Sequence, residues 1–384
     1  MMRDFFLLMA FFWAGFSLAQ SQDTVPDYLA HPENYGVVVE ADGEYGYFNL
    51  KGERLFPGVF EDAYPFSEGL ARVTLDGRYG YVNLKGEFVI PNTFLMASDF
   101  SDGLALAAKR KDGEYRYYMG YLEPSGEWAF EPEFVFAGDF KNGRALVHLS
   151  EVDAKILEKN GNLIDLGPLD RHYYSATLSE RHIVYYTDSS LFMKKYPGKE
   201  RLYGFINDRG VDVRLPEYVL MRDFKNGMSW VEHGGKCGVM DTTGKWVIPP
   251  KWPLGSHADL GDPDFFLWVN PITAYTNVYE VMNMDGETIF KAEMIRLVWI
   301  DDGLILADAI LYPGEEEEGQ YGYLDKHGQV VIPLEYEDIG AWSHGLVTAD
   351  KGEDGAFILD RNNQIICTSK EHRFVGKVFL LKSH

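Results

Sequence analysis

The sequence predicts an all-β fold in which tandem three-stranded antiparallel β-meander repeats of about 34 residues form a propeller-like or open superhelical array. Three observations predict it: an aromatic-Gly-aromatic segment recurs, a turn glycine follows it within a few residues, and an Ile-Pro segment follows the turn. The clearest copies, Tyr45-Gly46-Tyr47-Phe48-Asn49-Leu50-Lys51-Gly52-Glu53 and Tyr79-Gly80-Tyr81-Val82-Asn83-Leu84-Lys85-Gly86-Glu87, are offset by 80 − 46 = 34 residues. Others begin at Gly120, Tyr203, Cys237 and Tyr321, and weaker ones cover 156–161, 281–286 and 357–363.

Each element has a mechanical reason. In the Tyr-Gly-Tyr strand the glycine removes a side chain, so that a neighbouring strand can approach the backbone closely. The turn glycines Gly52, Gly86, Gly126, Gly210, Gly244, Gly286 and Gly328 suit the left-handed position of a three-residue hairpin loop. The returning strand, as in Val89-Ile90-Pro91 or Val331-Ile332-Pro333, is β-branched, and its proline has no N–H to donate. The ladder is therefore expected to stop there. A third strand follows an aromatic-anchored polar turn, as in Phe66-Ser67-Glu68-Gly69, Phe100-Ser101-Asp102-Gly103, Phe140-Lys141-Asn142-Gly143, Phe224-Lys225-Asn226-Gly227 and Trp342-Ser343-His344-Gly345. One such meander cannot bury its own apolar face and must stack on its neighbours.

Residues 1–19 read as a signal peptide: Arg3, an apolar run from Phe5 to Ala14, and the small-residue end Ser17-Leu18-Ala19. Cleavage is expected after Ala19, with Ser21 a second position and an uncut anchor the alternative. No cysteine follows the apolar run to carry a lipid. Residues 20–384 then make a single repeat domain of about eight or nine units whose last is a degenerate cap, secreted or periplasmic, with no membrane insertion after signal cleavage.

With 46% apolar residues the chain is globular in composition. Its 59 acidic against 36 basic residues give a net charge of −23, which repels phosphate backbones and argues against nucleic acid as a partner. Cys237 takes the aromatic position of one repeat and Cys367 lies several repeats away, so both read as packed apolar residues, with a disulfide left open.

These residues resemble WG repeats, a bacterial family whose units read aromatic-Gly, Asp or Asn, turn Gly, Ile-Pro, then aromatic-x-x-Gly-Leu-Ala-x-Val. The match covers nearly the whole chain after the leader. No copy keeps the Trp-Gly pair: Tyr45, Tyr79, Tyr203 and Tyr321 stand in, as do Met119 and Cys237. The resemblance implies an interaction scaffold rather than any common reaction.

The repeat is interrupted at 109–118, 194–202 and 312–320, each between one unit's last strand and the next Tyr-Gly strand, and differently at 251–264. Extra residues in repeat arrays collect in loops that carry binding, and the first three are expected on one edge. Glu315-Glu316-Glu317-Glu318 reads as a solvated run, and His257, Asp259, Asp262 and Asp264 match no metal-loop spacing. The carboxylates Asp99, Asp139 and Asp223 precede an aromatic in corresponding places and are expected to act as caps or turn acceptors. No nucleophile, zinc or phosphate-loop motif is present, so no catalytic, metal or cofactor residue is assigned and no cofactor is expected. The expectation is an exported protein that binds a protein or glycan partner of the cell envelope. A carbohydrate-active enzyme and a purely structural envelope component are the alternatives.

Overall fold

The structure, a computed structural model, describes residues 26–110, 115–150, 153–166, 171–173, 181–187, 201–253, 257–260, 262, 264–271, 277–294, 296–300, 303–309 and 320–381. The leader and its cleavage position lie outside them. The described residues form nine small antiparallel sheets arranged as the blades of a β-propeller.

A full blade has four strands in chain order, a short a strand followed by b, c and d. Blade 2 shows the pattern: Asp62–Ala63, Ala71–Leu75, Arg78–Val82 and Phe88–Phe94, hydrogen-bonded in that order. Blades 3 to 9 span 105–134, 136–165, 171–218, 220–253, 257–294, 296–336 and 338–369. Blade 3 has three full strands, its a position being an isolated bridge between Ala97 and Ala107. Blade 1 joins the two ends of the chain. Its a strand is Arg373–Leu380, which pairs with Tyr35–Ala41, which pairs in turn with Glu44–Asn49. That pairing closes the ring and excludes the open superhelix.

The core lies between blades. Among the described residues nine apolar clusters form, each straddling two adjacent blades. Leu70, Tyr81 and Ile90 of blade 2 meet Ala105, Ala107 and Leu122 of blade 3, and Tyr35, Val37 and Val378 of blade 1 meet Leu346 and Ile358 of blade 9. A single sheet could bury neither face alone, so stacking supplies the hydrophobic stabilisation.

The repeat expected from sequence is therefore out of phase with the blade. Its Tyr-Gly and Ile-Pro strands are c and d of one blade, whereas its third strand is b of the next. The blades have three or four strands, and what repeats along the sequence is the contact between blades. Tyr47 packs on Phe66, Tyr81 on Phe100, Tyr121 on Phe140, Phe205 on Phe224 and Tyr323 on Trp342, with ring centroids 4.7–5.6 Å apart. Every pair has the same separation, 66 − 47 = 19 residues in the first. Where Val239 occupies this c-strand position, Trp230, Trp252 and Trp268 fill the space between blades 6 and 7, alongside buried Cys237.

The prolines also need correcting. Pro91 lies inside Phe88–Phe94, and the pairing resumes beyond it at Tyr79 with Phe94 after a register shift. A β-bulge absorbs the missing donor, and the glycine opposite makes room for it. A Cβ on Gly80 would stand 2.6 Å from the Asn92 nitrogen, and one on Gly120 2.5 Å from the Phe130 carbonyl oxygen. Proline is tolerated at a bulge where it would break a regular ladder.

Candidate functional site

Strands alternate in direction, so a–b and c–d turns emerge on one face of the ring and b–c and d–a connections on the other. The first face is consumed by its own turns. Asn49 Oδ1 accepts the N–H groups of Lys51 and Glu53, and Asn83, Asn207, Asp241, Asn283, Asp325 and Asp360 do the same in their loops. The a–b turns are two-residue hairpins such as Glu68-Gly69 and Asp102-Gly103, with both residues at positive φ. They are tied to the next blade. The Ser67 hydroxyl donates to the Phe100 carbonyl and that of Ser101 to the Phe140 carbonyl, each at 2.7 Å, while Glu68 accepts from the Gly103 N–H. Blades 5, 7 and 8 depart from this, their a–b connections running from Tyr173 to His182, from Asp259 to Phe265 and from Ile300 to Leu304.

The buried tyrosines add a second tie. Tyr47, Tyr81, Tyr121 and Tyr323 donate their hydroxyls to the carbonyls of Tyr64, Ser98, Gly138 and Gly340, always 17 residues on and always at the start of the next blade, at 2.6–2.8 Å. Burial pushes all four phenols well above the ordinary tyrosine range. These residues hold the ring, and their recurrence explains why they carry no unique chemistry. Of the repeated carboxylates, Asp99 accepts from Arg72 Nε at 2.9 Å, an ion pair where a turn acceptor was expected. The Arg72 guanidinium lies 3.5 Å over the Tyr64 ring.

The opposite face is built differently. Its b–c connections are two residues long in blades 1, 2 and 6, but run from Arg110 to Tyr117 in blade 3, from Thr187 to Leu202 in blade 5 and from Ala309 to Gln320 in blade 8. The described strands that flank the interruptions at 109–118, 194–202 and 312–320 are b and c in each case, and their facing ends lie on one face. Residues 111–114, 188–200 and 310–319 lie outside the described residues, and with them 315–318. Segment 251–264 divides between faces: it includes the end of Trp246–Pro253, the a strand His257–Asp259, and the turn in which Asp264 N–H donates to Asp262 Oδ1. Among the described residues no group of three or more His, Cys, Asp or Glu is placed to share a metal ion, and no helix is long and apolar enough to cross a membrane. Cys237 and Cys367 are not joined by a disulfide, and burial raises both thiols above their usual range.

On this face a cleft of about 470 Å³ opens between blades 2 and 3. Arg78, Lys109 and Arg110 stand around it, Phe94, Tyr117 and Trp128 wall it, and none of its described lining residues is acidic. Phe94 and Trp128 meet edge to face at 5.9 Å, and the Arg110 guanidinium lies 5.1 Å from the ring of Tyr115, which is 93% exposed. A second cleft on the face, about 250 Å³ between blades 9 and 1, is the electrostatic opposite: Glu40, Asp338 and Asp350 surround Arg373, which pairs with both aspartates. Arg78, Phe94, Lys109 and Trp128 come from four strands of two blades, and sequence reasoning reached only Lys109, Arg110 and Tyr117, through the interruption that contains them.

The model of the WG containing repeat matches residues 45–79, 79–115, 119–149, 203–237, 238–253 and 321–353. No curated protein matches the chain in sequence. Among solved structures, a crystal structure of the eukaryotic initiation factor is similar at a TM-score of 0.57 and 9% identity, over 91% of this chain and 98% of that one. The likeness shows the propeller fold alone. The extracellular domain of a hybrid two-component system from B. thetaiotaomicron aligns at a TM-score of 0.27 and 9% identity, over 88% of this chain and 64% of that one. The WD40 domain of Toxoplasma gondii coronin aligns at 0.36 and 9%, over 71% and 77%.

Proposed function

The chain is a WG-repeat protein, and from that premise we propose that it is an exported binding scaffold which engages a protein or glycan partner of the cell envelope through its b–c face. One observation carries the reading. The face with tight turns spends its polar side chains on its own backbone, whereas the other combines the long b–c connections with an aromatic cleft whose charge is opposite to that of the chain as a whole. A propeller offers a rigid ring for such loops, since its core is locked between blades and is insensitive to what they carry. Export rests on the leader of residues 1–19.

A photo-crosslinking amino acid placed at Tyr115 on the b–c face, and in a second strain at Leu84 in a c–d turn, tests the proposal in the producing cell. The expected result is a discrete adduct from Tyr115 and none from Leu84, on chains that begin at Gln20. Adducts from Leu84 alone or from neither position would overturn the docking face, and an intact Met1 on membrane-bound material would overturn export.

A further inference from the structure

On the reading just given, which it deepens, we propose that the cleft between blades 2 and 3 is a binding site for an acidic saccharide, with the uronate carboxylate held by Arg78 and Lys109 and the sugar ring lying against the aromatic wall. Three features of the cleft point to this chemistry. Its size, about 470 Å³, falls within the range of roughly 300–1,000 Å³ typical of small-ligand pockets. Its charge is local: three cations and no carboxylate among the described lining residues, in a chain whose net charge is −23. Its walls are ring faces and edges, Phe94, Tyr117 and Trp128, of the kind that accept the flat apolar side of another ring while leaving its polar rim to the cations.

The same observations narrow the ligand. A guanidinium offers two parallel N–H donors that match a carboxylate, and Lys109 adds a point charge beside it. A dense polyanion would extend well past the cleft onto an acidic surface, and the repulsion is screened only beyond about 8 Å at physiological ionic strength. A short uronate chain, with one carboxylate in the cleft and few beyond it, keeps that cost small. An aliphatic acid would satisfy the cations and leave the aromatic wall unused, and a neutral sugar would do the reverse. The cleft between blades 9 and 1 serves as an internal contrast, since there Arg373 is already held by Asp338 and Asp350.

The test is calorimetric titration of the full-length mature chain with trigalacturonate, beside maltotriose, inorganic phosphate and triglutamate as probes of ring, anion and acidic peptide. Trigalacturonate is expected to bind, with affinity falling as salt rises, while the other three bind at least about tenfold more weakly. Arg78→Ser and Lys109→Ser, both exposed side chains, are each expected to lower the affinity about tenfold or more, the scale of one charge-assisted hydrogen bond. Their thermal melting should match that of the parent, so that loss of binding is not loss of fold. Silence of trigalacturonate at millimolar concentration, or unchanged affinity in both folded variants, overturns the proposal. Phosphate or triglutamate binding as tightly makes the cleft a general anion site, and maltotriose binding as tightly makes the cations irrelevant; either result overturns it too. If trigalacturonate is silent while the Tyr115 adduct persists, the docking face stands and this inference falls.

Discussion

The tyrosine that follows the strand glycine in the well-formed repeats is the residue on which most of the ring depends. Tyr121 has its ring buried against Phe130, Phe134 and Phe140 and its hydroxyl on the Gly138 carbonyl. The polar atom is satisfied, so burial is favourable as long as the phenol stays neutral. That condition sets a pH limit. Burial raises the phenol pKa of Tyr47, Tyr81, Tyr121 and Tyr323 in the folded chain above the ordinary value near 10, so the folded state holds protons that the unfolded state releases. Their contribution is complete below pH ~10 and is lost as pH rises from there toward the folded values. At pH 11 a phenol still neutral in the fold costs about 1 kcal/mol of stability relative to neutral pH. Urea unfolding at pH 8 and pH 11 is expected to show a marked loss on the alkaline side. Tyr121→Phe should be less stable than the parent at pH 8 yet lose less between the two values. Equal losses in parent and variant would show that Tyr121 ionises in the fold as it does in the unfolded chain.

At the scale of strands and turns, the glycines divide into two kinds that the sequence alone presents as one. Gly43 sits in a b–c turn at φ +81° with open space where a Cβ would be, so Gly43→Ala carries only the cost of the left-handed conformation, about 1–2 kcal/mol. Gly80 sits under the bulge of its own d strand, where a Cβ would stand 2.6 Å from the Asn92 nitrogen and 2.9 Å from the Ile90 carbonyl oxygen, both backbone atoms that cannot swing away. Gly80→Ala is therefore expected to destabilise clearly more than Gly43→Ala in denaturant titration, and the reverse order would refute the close approach of strands c and d. The close approach itself was legible, because it depends on residues within one hairpin. Less legible was the proline, since a one-residue bulge that rescues Pro91 leaves no mark in composition. The phase was not legible at all: a periodic sequence fixes the spacing of its elements but not where one blade ends. Tyr81 and Phe100 could belong to one sheet or face each other across two, and the pairing of Ala105–Arg110 with Tyr117–Leu122 decides it.

For the molecule as a whole the decisive pairing is the least local one, and it explains why closure could not be read from repeats. Arg373–Leu380 carries no Tyr-Gly, no turn glycine and no Ile-Pro, yet it supplies the inner strand of blade 1 and bonds to Tyr35–Ala41 from the other end of the chain. The blade 2–3 cleft was hidden for the same reason, since Arg78 and Lys109 become neighbours only when two blades stack. A linear array loses stability in proportion to the units removed, whereas a ring loses its last interface all at once. Deleting residues 371–384 would leave Tyr35–Ala41 as an open edge and expose Tyr35, Val39 and the blade 9 residues Leu346 and Ile358 that pack with Val378. An uncovered strand edge beside apolar surface recruits other chains. The truncated protein is expected to melt well below the parent and to associate in light scattering. A synthetic peptide of residues 371–384 should reverse both effects saturably by adding its strand to the vacant edge. A truncated chain that stays monomeric and melts at the parent temperature would show that the ring is held without this strand.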